Sequence, residues 1–581
     1  MMPPFALNSE SVLSPENRMS LRFALIASSL AFPAMAFAAP PSSPWAEYLD
    51  DDAYVARLHT IRADAPERVM LDRYGTSREG RPLLAMVLAS DLERAHEQPT
   101  LLVVGGLDAL HPAGTEYTVR MAERILADHP GILEEVTVVL MPRANPDGIA
   151  ALMGGINDGR RGGSRAVDAD RDGLFDEDEV RDLDGDGVIT RMRLIDPPLS
   201  HPPTHLADPG EPRLMRSPDV AAGERATHAM FVEGIDVDGD GAIGEDGRGE
   251  VRIDRNFMHL FAEHETDSGP YQLSEPESLA LAEWVLEKPR IYGAVVFGPH
   301  DWIVSLPEAS KKDPTGRTPI GIDGGDKRQY ERLKELWKEH TGQTRSTDEN
   351  DRGGLHAWLY AHRGIPTVAT TGWGRPDPTA TPEKPAEGSE TTERPKPRDA
   401  EGAAWLAWSD ADRDGEGFVE WREFDHPQLG RIEIGGVVPG FDRNPPLAML
   451  DGLAAGHAEF IAALAAMRPQ VVVEGPEVEL LGGGVARIRL ALRNDGEMPF
   501  CTTMARTNRA IRPLVVRPRI PVERILQGAA FELVDRLDPG QRRDFEWIVR
   551  WPEAGLEIEV DDPRATARTY RASVAREGAE R

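Results

Sequence analysis

One short apolar run in this sequence is followed by three side chains that could do chemistry: Asp108, His111 and Glu116. Carboxylates and histidines can bind a divalent metal or transfer a proton. The run, Leu101–Val104, has the continuous hydrophobicity of a strand covered on both faces. Two glycines end it, and the apolar spacing of residues 112–126 predicts a helix. In open α/β sheets, ligands bind where such strands end. The order of strand, polar loop and helix therefore predicts a functional site at this edge of a sheet.

Two other segments have the carboxylate spacing of a calcium loop, in which alternate acidic residues converge on one hard cation. The residues are Asp168, Asp170, Asp172, Asp176 and Glu179 in the first segment, and Asp412, Asp414, Glu416, Glu420 and Glu423 in the second. Two further runs, beginning at Asp182 and Asp236, lack the closing glutamate. Clear helical patterns do not flank these loops, so the sequence predicts isolated calcium sites, with solvated acidic turns as the alternative.

The composition is that of a soluble globular protein with room for two or three domains: 581 residues, 40% apolar and 28% charged. A net charge of −32 argues against nucleic acid as a partner. The single cysteine, Cys501, excludes an internal disulfide framework and a cysteine zinc cluster.

The N-terminus has the features of a targeting segment. Arg18 and Arg22 precede an apolar run over residues 23–37, and residues 36–38 (Ala-Phe-Ala) are typical of a signal-peptidase site. We therefore predict a cleaved signal peptide at residues 1–38 and a secreted or periplasmic bacterial protein. The apolar run is short for a membrane span and no later window approaches one, so we expect no membrane span after signal cleavage, with a membrane-anchored form as the alternative.

Strand and helix patterns continue to about residue 468, with two interruptions. Residues 154–252 form an acidic, glycine-rich insertion of poor periodicity, and residues 375–401 are rich in Pro, Glu, Thr and Lys, which predicts a disordered insertion. In the remaining residues, 470–581, short β segments alternate with Gly, Pro and Asp turns. This spacing predicts a C-terminal β-sandwich.

Several ordered motifs between Trp45 and Met467 resemble the zinc carboxypeptidases (carboxypeptidase A-like), in particular an exported bacterial branch. They are the Gly-x-Ser-x-Glu-Gly-Arg turn at 75–81, the loop with Asp108 and His111, Asn-Pro-Asp-Gly at 145–148, VRIDRNF at 251–257, GPYQLSEPES at 269–278 and LHAWLYAHRGIP at 355–366. The resemblance implies an α/β fold over residues 45–468, a mixed, mostly parallel sheet flanked by helices. It also implies a zinc ion and proteolysis of peptides from the C-terminus.

The resemblance assigns the zinc ligands to Asp108, His111 and His300, because Asp and His are both zinc ligands. The family's third ligand position itself falls on Gly298, and His300 reaches the metal only if its loop is reshaped. Thr371 occupies the position of the family's general-base glutamate. A threonine hydroxyl cannot accept a proton from metal-bound water near neutral pH, so that role is lost.

Arg255 matches the arginine that clamps the terminal carboxylate of a peptide, a task suited to a planar guanidinium. Asp254 beside it, together with Arg160, completes the candidate substrate-binding set. The implied partners are peptide or peptidoglycan-stem C-termini.

Three functions are open on these grounds. One is a zinc carboxypeptidase with a permuted site, in which Asp301 or Glu116 replaces the missing base. A second is a non-catalytic peptide-binding pseudoenzyme that keeps Arg255. The resemblance implies His, Glu and His as zinc ligands and Glu as base, where this sequence has Asp108, His111, Gly298 and Thr371. Substitution at all four positions favours the pseudoenzyme, since loss of one member of a concerted site lowers activity by orders of magnitude. The third is a calcium-dependent structural or adhesive protein.

Overall fold

The computed structural model describes residues 45, 48–169, 171, 173–176, 178–244, 247, 249, 251–349, 352–377, 396–552, 554–564 and 567–573. The predicted signal peptide at 1–38 lies outside these residues. So do Asp170 and Asp172 of the first predicted calcium loop, and residues 378–395 of the predicted disordered insertion.

The helices are α1 (Asp51–Asp64), α2 (Ala113–Asp128), α3 (Pro146–Gly154), α4 (Pro276–Glu287), α5 (Lys327–Thr341), α6 (Leu355–Arg363), α7 (Ala400–Asp412), α8 (Leu447–Ala466) and α9 (Thr503–Asn508).

The strands are β1 (Val69–Thr76), β2 (Pro82–Leu88), β3 (Thr100–Val104), β4 (Thr137–Met141), β5 (Arg191–Ile195), β6 (Leu206–Ala207), β7 (Met215–Arg216), β8 (His228–Val232), β9 (Ile291–Phe297), β10 (Thr367–Thr370), β11 (Phe418–His426), β12 (Gly430–Val437), β13 (Val471–Gly482), β14 (Val485–Asn494), β15 (Leu514–Pro518), β16 (Ile525–Gln527), β17 (Glu532–Val534), β18 (Arg542–Arg550), β19 (Leu556–Asp561) and β20 (Arg568–Ala572).

A six-stranded sheet in the order β1-β2-β4-β3-β9-β10 lies at the centre of the first part of the chain. Strands β4, β3, β9 and β10 are parallel neighbours, whereas β1 and β2 are antiparallel at one edge. The predicted fold class, a mixed and mostly parallel sheet flanked by helices, is confirmed. Because β3, β9 and β10 run in the same direction, their carboxyl ends meet at one edge, where the candidate site was expected.

Strand β3 is buried on both faces, as its unbroken apolar run predicts. Leu101 and Val103 belong to a core shared with α2, α5 and α8, and Leu102 and Val104 to a core shared with α4 and α6. Successive residues of a strand point to opposite faces, so four consecutive apolar residues serve two cores.

Gly105 brings the beginning of α2 directly against the end of β3. A β-carbon at this position would lie 2.2 Å from the carbonyl oxygen of Gly114, so no larger residue fits. This close approach fixes the loop that carries Asp108 and His111 between the strand and the helix.

The expectation that no later window approaches a membrane span is wrong for helix α8, which by length and composition is apolar enough to cross a membrane, with a mean hydropathy of 1.3. In this structure it packs against α2 and α5 through buried residues such as Leu450, Phe460 and Ile461. His457 of α8 also bonds to the carbonyl oxygen of Gly372, 2.7 Å away, just beyond β10. The helix is thereby tied to the sheet edge that carries the site.

The acidic insertion contains regular structure that the sequence analysis missed. Strands β5 and β8 of the insertion join β11 and β12 in a four-stranded antiparallel sheet of order β11-β12-β5-β8. A small core that includes Met192, Ala229 and Ile434 holds this sheet together. The strands are short and their partners are distant in sequence, so local periodicity gives little sign of them.

Beyond α8, two four-stranded antiparallel sheets, β13-β14-β18-β16 and β17-β15-β19-β20, share one apolar core. This arrangement is consistent with the predicted β-sandwich. Asp326, at the beginning of α5, connects it to the rest of the chain. Its carboxylate accepts hydrogen bonds from the backbone N–H groups of Thr503, at 2.7 Å, and Met504, at 3.1 Å.

Candidate active site and acidic loops

His111 lies beyond the end of β3 and contacts the residue that follows β10. Its Nε2 donates a hydrogen bond to the carbonyl oxygen of Thr371, 3.0 Å away, so Nε2 carries the proton. Burial lowers the pKa of His111 to about 4, which leaves the ring neutral at pH 7. The Thr371 hydroxyl donates to the carbonyl oxygen of Trp373 at 2.8 Å. The two sequence positions are therefore neighbours, as the resemblance implies, but both side chains bond to backbone carbonyls.

The carboxylate of Asp108 is fully buried and is bound by arginine. Its Oδ2 accepts hydrogen bonds from Nε and Nη2 of Arg161, at 3.0 and 2.5 Å, and Nη1 of Arg443 lies 3.5 Å away. Its Oδ1 accepts the backbone N–H of Leu110 at 3.0 Å. Burial would raise the pKa of Asp108, but the combined positive charges of Arg161, Arg252 and Arg443 outweigh burial and lower the pKa, so the carboxylate is ionised.

Two more carboxylates extend this contact. Asp254 accepts two hydrogen bonds from Arg252, at 3.1 and 2.6 Å, and Nε2 of His300 lies 3.5 Å from it. The carboxylate oxygens of Glu349 lie 2.7 Å from Arg161, 3.2 Å from Arg252 and 3.1 Å from Arg443, measured to the guanidinium nitrogens. We call these residues the arginine–carboxylate network: Asp108, Asp254, Glu349, Arg161, Arg252 and Arg443.

Asp108 and Asp254 of this network were predicted from the sequence, but its arginines were not. The predicted residue Arg160 bonds to the nearby Asp158 at 3.0 and 3.1 Å, while the adjacent Arg161 extends to Asp108. Arg443 is 335 residues from Asp108 in sequence, and only the tertiary fold brings them together. Arg252 was the detectable member, because it lies two residues from Asp254 in the VRIDRNF motif.

The residues at this site do not fit the zinc ligand set predicted from the sequence. A zinc ion needs deprotonated ligand atoms that converge on it at about 2 Å. Among the described residues, the ligand atoms of Asp108, His111 and His300 do not form a group within 4.8 Å of one another. Oδ2 of Asp108 faces two guanidinium groups, and Nε2 of His111 is protonated and bonded to a carbonyl. The negative charge of Asp108 is balanced by arginine.

Arg255, the predicted carboxylate clamp, points to a different set of residues. Its guanidinium bonds to Glu265 at 2.5 Å and to Asp267, not to Asp254 beside it. The side chains of Glu265 and Asp267 are 42% and 31% exposed, whereas that of Arg255 is buried. The structure therefore places Asp254 in the arginine–carboxylate network and Arg255 in a separate ion-pair cluster near the surface.

Neither candidate for a replacement base is available to a substrate. Asp301 accepts the backbone N–H groups of Ile303, Val304 and Ser305 at 2.7–3.0 Å and so closes its own loop. Glu116 accepts the backbone N–H of Leu49 at 2.8 Å and lies 3.3 Å from Arg120. Both carboxylates therefore have structural partners, Asp301 within its own loop and Glu116 in the segment before α1.

The first predicted calcium loop is only partly described. Asp176 accepts the backbone N–H of Val167 at 3.1 Å, which bends the segment back on itself. Asp168 and Glu179 are described as well, but Asp170 and Asp172 lie outside the described residues. Calcium binding by this loop stays a prediction.

The second predicted calcium loop does not close around a common point. Asp412 ends α7, and from Phe418 the chain is the extended strand β11. A strand rises roughly 3.3 Å per residue, so Glu423 is carried about 16 Å from the beginning of β11. Asp414 and Glu420 do not join it in a three-residue acidic group among the described residues. Glu416 and Glu423 instead form ion pairs with Arg413 and Arg431.

Comparison with known proteins identifies two segments of the chain. Residues 54–182 match the zinc carboxypeptidase family, and residues 470–573 match a domain of unknown function. The first segment contains Asp108 and His111, so the resemblance from which their roles were predicted is confirmed there.

Two curated relatives support the same relationship. Carboxypeptidase B of Astacus astacus is 30% identical over 109 residues, which is 18% of this chain and 35% of the relative. Carboxypeptidase E of Caenorhabditis elegans is 26% identical over 118 residues, which is 19% of this chain and 25% of the relative. The chain thus spans about a third, or less, of the length of these relatives.

Solved structures of carboxypeptidases are similar at low identity. Bovine thrombin-activatable fibrinolysis inhibitor, in complex with tick carboxypeptidase inhibitor, is 10% identical with a TM-score of 0.38, covering 72% of this chain and 97% of that chain. The metallo-carboxypeptidase of Burkholderia cenocepacia is 12% identical with a TM-score of 0.30, covering 56% of this chain and 60% of that chain.

Proposed function

We propose, from the premise that residues 54–182 belong to the zinc carboxypeptidase family, that this chain binds peptide C-termini and does not hydrolyse them. The observation that carries the proposal is the pairing of Asp108 with Arg161, at 2.5 Å, where the family relationship implies a zinc ligand. A guanidinium has no open coordination position and stays protonated, so it cannot generate a hydroxide from water as zinc does. The chain is thus a peptide-binding pseudoenzyme.

Peptide binding is proposed at Arg255, as the family resemblance implies. Its partners Glu265 and Asp267 are partly exposed, so either carboxylate can turn toward solvent without being left buried and unpaired. The terminal carboxylate of a peptide can therefore displace one of them and form two parallel hydrogen bonds to the guanidinium. Peptides and peptidoglycan stems are the proposed ligands, because the predicted signal peptide at 1–38 would export the protein to where both occur.

The test combines metal analysis with peptide binding on the full-length chain. After incubation with zinc and desalting, we expect well under one zinc per chain and no release of amino acids from peptide C-termini. Peptides with a free C-terminus should bind at least about tenfold more tightly than their C-terminal amides, and Arg255→Gln should abolish the difference. The control is Arg57→Gln, an arginine outside the candidate substrate-binding set, whose ion pair with Glu123 is partly exposed.

One observation favours a working peptidase as the second candidate. Nδ1 of His111 is buried and has no hydrogen-bond partner among the described residues, so its lone pair is available to a metal. This candidate predicts one zinc per chain, loss of that zinc in His111→Ala, and peptide hydrolysis that disappears with it. Those results would refute the pseudoenzyme proposal, whereas zinc-free peptide binding would refute the peptidase.

A further inference from the structure

The two acidic runs that lack a closing glutamate are copies of one motif. Residues 182–189 read Asp-Leu-Asp-Gly-Asp-Gly-Val-Ile, and residues 236–243 read Asp-Val-Asp-Gly-Asp-Gly-Ala-Ile. In each, the first aspartate accepts the backbone N–H groups of both glycines, at distances of 2.5–3.1 Å. We call them the first and second DG loops. The two have the same local conformation, and neither contains a carboxylate at its closing position.

The insertion sheet brings the DG loops to the same place. The first DG loop precedes β5 and the second follows β8, and β5 and β8 are antiparallel, with Arg191 paired to Val232. The beginning of one strand therefore lies beside the end of the other. Backbone bonds continue this pairing into the loops, from Arg181 N–H to the carbonyl oxygen of Glu233 at 2.9 Å.

Each DG loop receives a carboxylate from the segment that leads into the other. Asp178, which precedes the first loop, has an oxygen within 4.8 Å of oxygens of Asp236 and Asp238 in the second. Glu233, which precedes the second loop, likewise has an oxygen within 4.8 Å of oxygens of Asp182 and Asp184 in the first loop. The missing closing residues are thus supplied reciprocally through the tertiary structure.

The two donated carboxylates differ in their hydrogen bonds. Both oxygens of Glu233 are used, because they accept the backbone N–H groups of Leu183 and Thr190 at 2.6 and 2.9 Å. Oδ1 of Asp178 accepts the backbone N–H of Val237 at 2.7 Å, but its Oδ2 is buried without a hydrogen-bond partner among the described residues. Asp178 itself is only 1% exposed.

An unsatisfied buried carboxylate oxygen is destabilising, and its cost grows when other carboxylates face it. Asp236 and Asp238 provide that repulsion, and the second DG loop leaves them accessible to solvent. A bound cation removes both the unsatisfied oxygen and the repulsion. Three carboxylates with room for water ligands suit Ca²⁺, which accepts irregular shells of six to eight oxygens, better than Mg²⁺, which demands an octahedron.

We propose that Asp178, Asp236 and Asp238 form a Ca²⁺ site, in which Asp178 closes the second DG loop from outside its sequence. The site does not depend on the proposed peptide binding. The first DG loop is not included, because Glu233 already has hydrogen-bond partners for both of its oxygens.

The test is calorimetric titration of the full-length, EDTA-treated protein with CaCl₂, alongside Asp178→Asn and the exposed-helix control Asp128→Asn. We expect the Asp178→Asn change to weaken one binding event at least about tenfold, or to remove it, and Asp128→Asn to leave the isotherm unchanged. Asp238→Asn, at an exposed position where the amide oxygen can still accept the backbone N–H of Asp240, should act like Asp178→Asn. Unchanged isotherms for both variants would overturn the proposal.

A stability measurement separates this site from a merely structural role of Asp178. In EDTA, the Asp178→Asn protein should melt at the same temperature as the wild type or higher, because the substitution removes an uncompensated charge. With Ca²⁺ the order should reverse, since only the wild type gains binding energy. Crystals soaked in Tb³⁺ should show an anomalous peak between the three carboxylates, and its absence would refute the assignment.

Discussion

The positive partner of a buried carboxylate decides what chemistry that carboxylate can support. At Asp108 the partner is Arg161, a permanently charged group with five N–H donors and no acceptor. A metal ion in that role would also hold a water molecule and lower its pKa. Arginine balances the charge just as well but activates nothing. Under the pseudoenzyme proposal, a guanidinium in place of a metal keeps this charge balance and the fold but leaves no group that activates water.

We predict that Arg161→Met strongly lowers the free energy of unfolding. The substitution leaves the fully buried Asp108 with only the more distant Arg443, and removal of one partner of a buried pair costs about 3 kcal/mol or more. Unfolding in urea should show this loss. Arg160→Met should change the unfolding free energy by less than about 1 kcal/mol, since its pair with Asp158 is local. Equal effects of the two variants would show that the network is not structural.

At the scale of elements, the site is formed by the ends of β3, β9 and β10 and by the helices that hold them. The apolar run of β3 and the helical spacing of α2 were readable from the sequence, because both patterns are local. The close contact of β3 with α2 depends on Gly105, and its reason is visible only in three dimensions.

Gly105→Ala should therefore destabilise the protein by about 1–3 kcal/mol, because its methyl group would overlap the Gly114 carbonyl. The control is Gly452→Ala in α8, where a β-carbon meets nothing within 4 Å. Alanine is the better helix former there, so this variant should be more stable by about 0.5–1 kcal/mol. Thermal melts measure both effects. Melting temperatures that shift in the same direction for the two variants would contradict the prediction.

Because His457 ties α8 to the edge of the sheet, we predict that its protonation makes the free energy of unfolding depend on pH. Burial lowers its pKa to about 4, so between pH 6.5 and pH 4 the unfolded chain binds a proton that the folded chain does not. The stabilisation is present above pH 6.5 and is lost as the pH falls toward 4.

We therefore compare wild type with His457→Gln, which keeps a donor for the Gly372 carbonyl. The unfolding free energy of the wild type should fall relative to the variant by about 2–3 kcal/mol from pH 7 to pH 4. Other titrating groups are common to both proteins and cancel in the difference. His59→Gln, at an exposed position of α1, should show no such divergence, and parallel curves for His457→Gln would contradict the prediction.

At the scale of the whole molecule, the C-terminal sheets are fixed to the α/β part by a buried polar joint. Asp326 accepts backbone N–H groups of Thr503 and Met504, the Tyr360 hydroxyl at 2.8 Å and a guanidinium hydrogen bond from Arg536 at 3.2 Å. One carboxylate thus connects α5, α6, α9 and the turn after β17. We therefore expect the C-terminal sheets to lose stability when this joint is broken.

Asp326→Ala should leave several buried donors unsatisfied and destabilise the protein by about 3 kcal/mol or more. Hydrogen exchange should rise most in β13–β20, where the lost contacts anchored the sheets. Glu497→Gln is the matched control, because its 3.5 Å ion pair with Arg332 is exposed on both sides. Uniform exchange in Asp326→Ala would indicate that other contacts hold the joint.

The sequence by itself determined the central strands and helices, the short C-terminal strands, and the resemblance to the zinc carboxypeptidase family, which residues 54–182 match, because each of these depends on local periodicity or on ordered motifs. Only the tertiary structure decided which charges meet. Arg161 and Arg443 reach Asp108, and Asp178 closes a loop that begins at Asp236, through pairings of strands and helices distant in sequence. Coulomb interactions depend on distance in space and not along the chain, so a motif can show where a charged residue lies but not which partner it has.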